Sequence, residues 1–101
     1  MDKVPNIGDI LVNKFIKPNN LTIRQVAIAA HVPATRMYDL VHNERRISAD
    51  TSIRLGKLFG VPSRYFLDLQ SEVDLADNER KYAHEYAKIQ QVNYRDDKQI
   101  K

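Results

Sequence analysis

LTIRQVAIAAHVPATRMYDLVHN, Leu21 to Asn43, decides the fold of this chain. It reads as two short helices joined by a tight turn. Thr22 is an N-cap, and Gln25 three residues later can reach back to complete a capping box. Leu21 and Val26 flank that cap as a hydrophobic staple. The first helix has its body from Ile23 to Ala30, and His31-Val32 forms the turn. The second runs from about Ala34 to His42, with Pro33 at or beside its cap. Met37, Leu40 and Val41 fall at i, i+3 and i+4 and face inward. Ala34, Thr35, Arg36, Tyr38, Asp39 and His42 are left outside, and Asn43 suits a left-handed cap. A helix-turn-helix needs a small residue inside its first helix, an apolar one past the turn and apolar anchors beneath the second. Ala27, Val32, Met37 and Leu40 meet that need. The second helix of such a motif fits the major groove of DNA. His31 sits where glycine is usual because φ tends positive, a conformation His tolerates at some cost.

The flanking sequence continues the helical pattern, and alternating β-branched runs are absent. A helix is expected from about Gly8 to Ile16, with Ile7, Leu11, Phe15 and Ile16 inward and a turn at Lys17-Pro18-Asn19-Asn20. Glu44-Arg45-Arg46-Ile47 is a loop. Ser48 caps a fourth helix with Asp50 in its first turn, Ile53, Leu55, Leu58 and Phe59 on its buried side, and Gly60 at its end. A fifth begins near Pro62-Ser63 and buries Tyr65, Phe66, Leu69 and Val73. Beyond Asp77, the spacing of Tyr82, Tyr86 and Ile89 predicts further helix, and Arg95 to Lys101 is expected to fray. The fold class is all-α: a five-helix helix-turn-helix domain over 1–76 and a C-terminal helical extension over 77–101.

Length and composition bound what this fold can do. The chain has 101 residues, room for one modest core. It has no cysteine, which removes disulfides, thiolate metal sites and thiol nucleophiles, and suits a reducing compartment. No apolar run approaches a membrane span and MDKVPNIGDI lacks a signal-peptide core, so a cytoplasmic, nucleoid-associated protein with no membrane partner is expected. The net charge of +3 is unevenly spread. Residues 22–64 carry seven basic and three acidic groups, a surplus of four, whereas 65–101 carry six basic and eight acidic, a deficit of two. Positive charge thus lies where phosphates would be met. His31, His42 and His84 match no metal spacing, Ser48 and Asp50 are explained by helix capping, and no catalytic residue, metal site or cofactor is expected.

The candidate DNA contacts follow from the outward face. Arg36 can grip guanine O6 and N7 in a bidentate manner, and Thr35 can bond a base or phosphate or touch a thymine methyl. The plain alternative is an exposed, solubilising first turn. Tyr38 is in reach of a phosphate or base. Asp39 can accept from cytosine N4, pair with Arg36, or reject wrong sites. Ala34 either packs on a thymine methyl or simply permits close approach. Arg24 and Gln25 open the first helix of the motif, where backbone amides suit phosphate; the alternative for Gln25 is full occupation by the capping box. His42, Asn43, Arg45 and Arg46 can clamp a phosphate on the other side, or form a solvated loop. Phe66, Leu69 and Val73 are expected to serve core and dimer interface together. Tyr82 to Ile89 packs either within the subunit or across a dimer.

Gly8 to about Leu75 resembles the HigA-type antitoxins, also called virulence-associated protein I-like regulators, of the Xre/Cro-like helix-turn-helix class. The markers are GDIL at the start, LTIRQVA, VPATR, RISADTSIRL and FGVPSRYFLDLQ. The sequence departs at His31 and at His42-Asn43, where the family commonly has Asn-Gly. The resemblance implies a lambda-repressor-like five-helix domain, a homodimer, a palindromic operator in the chain's own promoter, and neutralisation of a small HigB-type endoribonuclease toxin. A free-standing repressor without a toxin, or a helical protein-interaction module, remains the alternative.

Overall fold

The computed structural model describes residues 6–93, and the expected frayed tail from Arg95 to Lys101 lies outside them. Helix α1, Ile7–Ile10, starts on Asn6, whose side chain accepts from the Asp9 amide. It runs directly into a π-helical segment, Leu11–Ile16, where Lys17 N–H donates to Val12 O at 2.9 Å. The expected helix is therefore present, but its second half is wound wider than α. Leu11 and Ile16 are both buried. They are five apart, and i→i+5 bonding brings such residues nearly over one another.

Helix α2, Ile23–Ala30, and helix α3, Ala34–Val41, form the central pair. Helix α4 is Ala49–Phe59, opened by Ser48 and closed by Gly60 at φ 72°. Helix α5, Tyr65–Tyr86, is 22 residues long, continuous through position 76, and bent at Tyr82, which has φ −118° and ψ 20°. Ile7, Leu11, Val26, Met37, Leu40, Leu55 and Phe66 join α1 to α5 in one core. Phe15 lies at its edge, with ring centroids 5.0 Å from Phe59 and 5.2 Å from Phe66.

Two expectations are corrected here. Ile53 is 41% exposed, because α4 buries Thr51, Ser52, Leu55 and Gly56 and so turns Ile53 off the buried arc. Phe66, expected also at a dimer interface, is fully buried among Phe15, Phe59 and Tyr65 of its own subunit. A partner could reach it only by opening the core. Leu69 and Val73 remain partly exposed on α5.

Polar bonds fix how α5 sits against the rest. Gln70 is buried, and its side chain accepts from Ile47 N–H at 2.8 Å and donates to Ile47 O at 3.3 Å. Ser52 Oγ donates to Ser63 O at 2.7 Å and accepts from Leu67 N–H at 3.2 Å. Among the described residues no buried side-chain polar atom lacks a partner. An unmet one would cost about 1–3 kcal/mol, so these two side chains also fix register. From Asn78 to Asn93 every residue is exposed, including Tyr82, Tyr86 and Ile89, so that stretch adds nothing to the buried core.

Candidate nucleic-acid interface

The motif is built from its cap forward. Thr22 Oγ1 accepts from Gln25 N–H at 3.0 Å, and Gln25 Oε1 accepts from Thr22 N–H at 2.8 Å. This reciprocal box satisfies two of the amides that a helix start leaves open. It also spends the Gln25 carbonyl oxygen on α2 itself. Arg24 beside it is exposed and makes no ion pair among the described residues. Ala27 and Ala30 are buried at the crossing with α3, and Val32 closes it.

His31 adopts the left-handed conformation, φ 60° and ψ 44°, and ends α2. Val32 N–H then returns to Ala27 O at 2.9 Å. Arg54 of α4 donates to His31 O at 3.0 Å, so a guanidinium from a third helix braces the turn. A non-glycine left-handed residue costs about 1–2 kcal/mol, and this brace offsets part of that.

Met37, Leu40 and Val41 anchor α3 from below. Thr35, Tyr38 and His42 form an exposed stripe at i, i+3 and i+7, with Ala34 and Asp39 half-exposed beside it. Tyr38 and His42 stack with ring planes 10° apart and centroids 6.4 Å apart. His42 Nδ1 lies 2.7 Å from Tyr38 O. A carbonyl only accepts, so Nδ1 carries the proton in that bond.

The arginines near α3 are each matched to a carboxylate. Arg36 approaches Asp50 at 3.7 Å and Thr51 Oγ1 at 3.4 Å across the gap to α4. Asp50 also accepts from Arg54 Nε at 2.9 Å. Arg45 lies 3.7 Å from Asp39. Arg46 pairs with Asp74 on α5. That hydrogen bond raises the Arg46 pKa above its ordinary value, with desolvation opposing and Coulomb attraction adding to it. The pair is surface-exposed and contributes about 0.2–1 kcal/mol at most.

Asn43 is positioned differently from a phosphate clamp. It takes φ 61°, and its Oδ1 accepts from Gly8 N–H at 3.0 Å, tying α1 to the end of α3. Gly8 has no room for a side chain, since an added Cβ would lie 2.5 Å from Val41 O. The structure thus gathers Ala34, Thr35, Tyr38, Asp39 and His42 on one outward surface, with Arg36 at the edge turned toward α4. Arg24 and Gln25 stand at the start of α2, Arg46 leans on α5, and Asn43 faces α1. Sequence reasoning missed Arg54 and Asp74. The Asp50–Arg54 spacing of four was a visible signal for a pair, but nothing local marked its reach to His31.

Among the described residues no helix is long and apolar enough to cross a membrane. No protein-family model matches the chain. Virulence-associated protein I of Dichelobacter nodosus is 37% identical over 68 residues, which cover 67% of this chain and 63% of that protein. An uncharacterised HTH-type transcriptional regulator of Escherichia coli, YbaQ, is 31% identical over 84% of this chain and 77% of its own length. The structure of Pseudomonas aeruginosa antitoxin HigA with the higBA promoter superposes with a TM-score of 0.77 and 31% identity, over 85% of this chain and 95% of that one. Shared sequence and shared architecture over that span place this chain in the HigA-type family of helix-turn-helix proteins.

Proposed function

We propose that the chain is a sequence-specific DNA-binding antitoxin. It acts as a homodimer on a palindromic operator, represses its own operon, and neutralises a HigB-type endoribonuclease. The observation that carries this reading is the stripe of Thr35, Tyr38 and His42 on a helix lifted from the body by the Ala27–Ala30 crossing. A dimer sets two copies of α3 into successive major grooves, about 34 Å apart. Arg24 meets phosphate, Arg36 and Thr35 read bases, and Ala34, Tyr38, Asp39, His42, Arg45 and Arg46 line the same approach. Leu69 and Val73 contribute to the dimer contact. Residues 1–76 form the DNA-binding unit, and 77–101 extend from it. The protein works in the cytoplasm at the nucleoid and carries out no chemistry of its own.

Footprinting on DNA upstream of the chain's own gene tests this reading. Protection of two half-sites one helical turn apart, lost with Thr35→Ala and Arg36→Ala, is the expected result. Full protection by both folded variants, or no protection by the wild type, would overturn it. Co-purification of a small basic protein encoded next door separates the antitoxin from a free-standing repressor.

A further inference from the structure

We infer that Asp50 is a specificity-determining residue for DNA, a carboxylate that restrains two arginines at the edge of the recognition surface. The inference rests on the DNA-binding reading above. One carboxylate serves Arg36 of α3 at 3.7 Å and Arg54 of α4 at 2.9 Å. The three side chains are 34%, 58% and 42% exposed, respectively for Arg36, Asp50 and Arg54, so all remain open to an approaching duplex. Arg54 is further tethered to His31 O, and Arg36 to Thr51 Oγ1. Arg24 and Lys57, by contrast, make no ion pair among the described residues.

The consequence is chemical. A phosphate is offered by every sequence, whereas a guanine edge is offered only by the right one. Arg36 held by Asp50 must exchange that partner for any phosphate it takes, and it brings the carboxylate toward the polyanion as it does so. That penalises binding to arbitrary DNA. At the operator, Arg36 offers two of its five donors to guanine O6 and N7 while keeping Asp50 on the others, and the neutral base edge does not repel that carboxylate as a phosphate does. Asp50 therefore lowers affinity for all DNA while lowering it least for the correct site. This is discrimination by a built-in repulsive element.

The test uses the full-length protein with Asp50→Asn, which keeps shape and removes charge at an exposed position. Titrations are run on the footprinted operator and on a scrambled duplex of equal length, over a series of salt concentrations. The scrambled duplex is expected to bind the variant about three- to tenfold more tightly, the log–log salt slope to steepen by about one, and the operator-to-scrambled ratio to fall by threefold or more. Adding Arg36→Gln to the variant should abolish most of that gain. An unchanged ratio and slope in a folded variant whose wild type still prefers the operator would overturn the role of Asp50 alone. Wild-type protein with no preference between the two duplexes would overturn the DNA reading, and this inference with it. A thermal melt accompanies each variant, because a purely structural role would move the midpoint and leave the ratio fixed.

Discussion

Gly8→Ala should loosen the support beneath α3 without touching any residue that faces outward. An added Cβ would lie 2.5 Å from Val41 O, 2.8 Å from Asn43 Oδ1 and 2.9 Å from Leu40 O. Two of those are backbone atoms in the last turn of α3, so no side chain can rotate to make room. The helices must separate, an overpacking cost of about 1–3 kcal/mol. Separation also stretches the Gly8 N–H bond to Asn43 Oδ1, now 3.0 Å, for about 0.5–1.5 kcal/mol more. Alanine's higher helix propensity offsets about 1 kcal/mol. The net loss is about 0.5–3.5 kcal/mol, and each kcal/mol lowers the melting temperature of a domain this size by about 4–8 °C. Urea unfolding followed by circular dichroism measures it directly. Asn43→Gly serves as the companion, since it removes the side-chain bond while relieving the left-handed backbone at φ 61°, so its loss should be the smaller of the two. A Gly8→Ala midpoint equal to or above that of the wild type would refute the close approach of α1 to α3.

Three further outcomes follow from the same contacts. His31→Gly should stabilise the fold by up to about 1 kcal/mol, because glycine meets the left-handed turn without steric cost; a lower midpoint would mean that the imidazole contributes something the φ of 60° does not reveal. Met37→Ala removes a fully buried anchor of α3 and should cost about 2–5 kcal/mol in denaturant unfolding, with a loss under 1 kcal/mol contradicting its place in the core. Arg24→Ala should weaken operator and scrambled DNA alike and reduce the salt slope by about one; a loss confined to the operator would make Arg24 a reader of bases.

Much of this molecule was legible one turn at a time. The box at Thr22 and Gln25, the left-handed turns at His31 and Asn43, and the inward triplet Met37, Leu40 and Val41 are local features, and local rules found them. What escaped was set by contacts between distant segments. The π-winding of Leu11–Ile16 occurs where Phe15 meets Phe59 and Phe66, residues more than forty positions away. Ile53 reads as core by composition, yet two hydroxyl residues, Thr51 and Ser52, are the ones inside. Their polarity hid them, although Ser52 is buried because Ser63 O and Leu67 N–H bond it. The outward face of α3 was readable from periodicity alone. The pairing of Arg36, Arg45 and Arg46 with carboxylates was not, since partners such as Asp74 stand 28 residues away.

The outer end of α5 has a consequence for how the protein breathes. From Asn78 onward no described side chain is buried in the core, and a helical stretch of that length without core support is marginal in water. Its amide hydrogens should therefore trade with deuterium by local opening, at rates decoupled from global unfolding. Anything that settles over Tyr82, Tyr86 and Ile89 will slow that trade. The arm is thus a built-in gauge, reporting the arrival and departure of whatever covers it while the helices beneath remain silent.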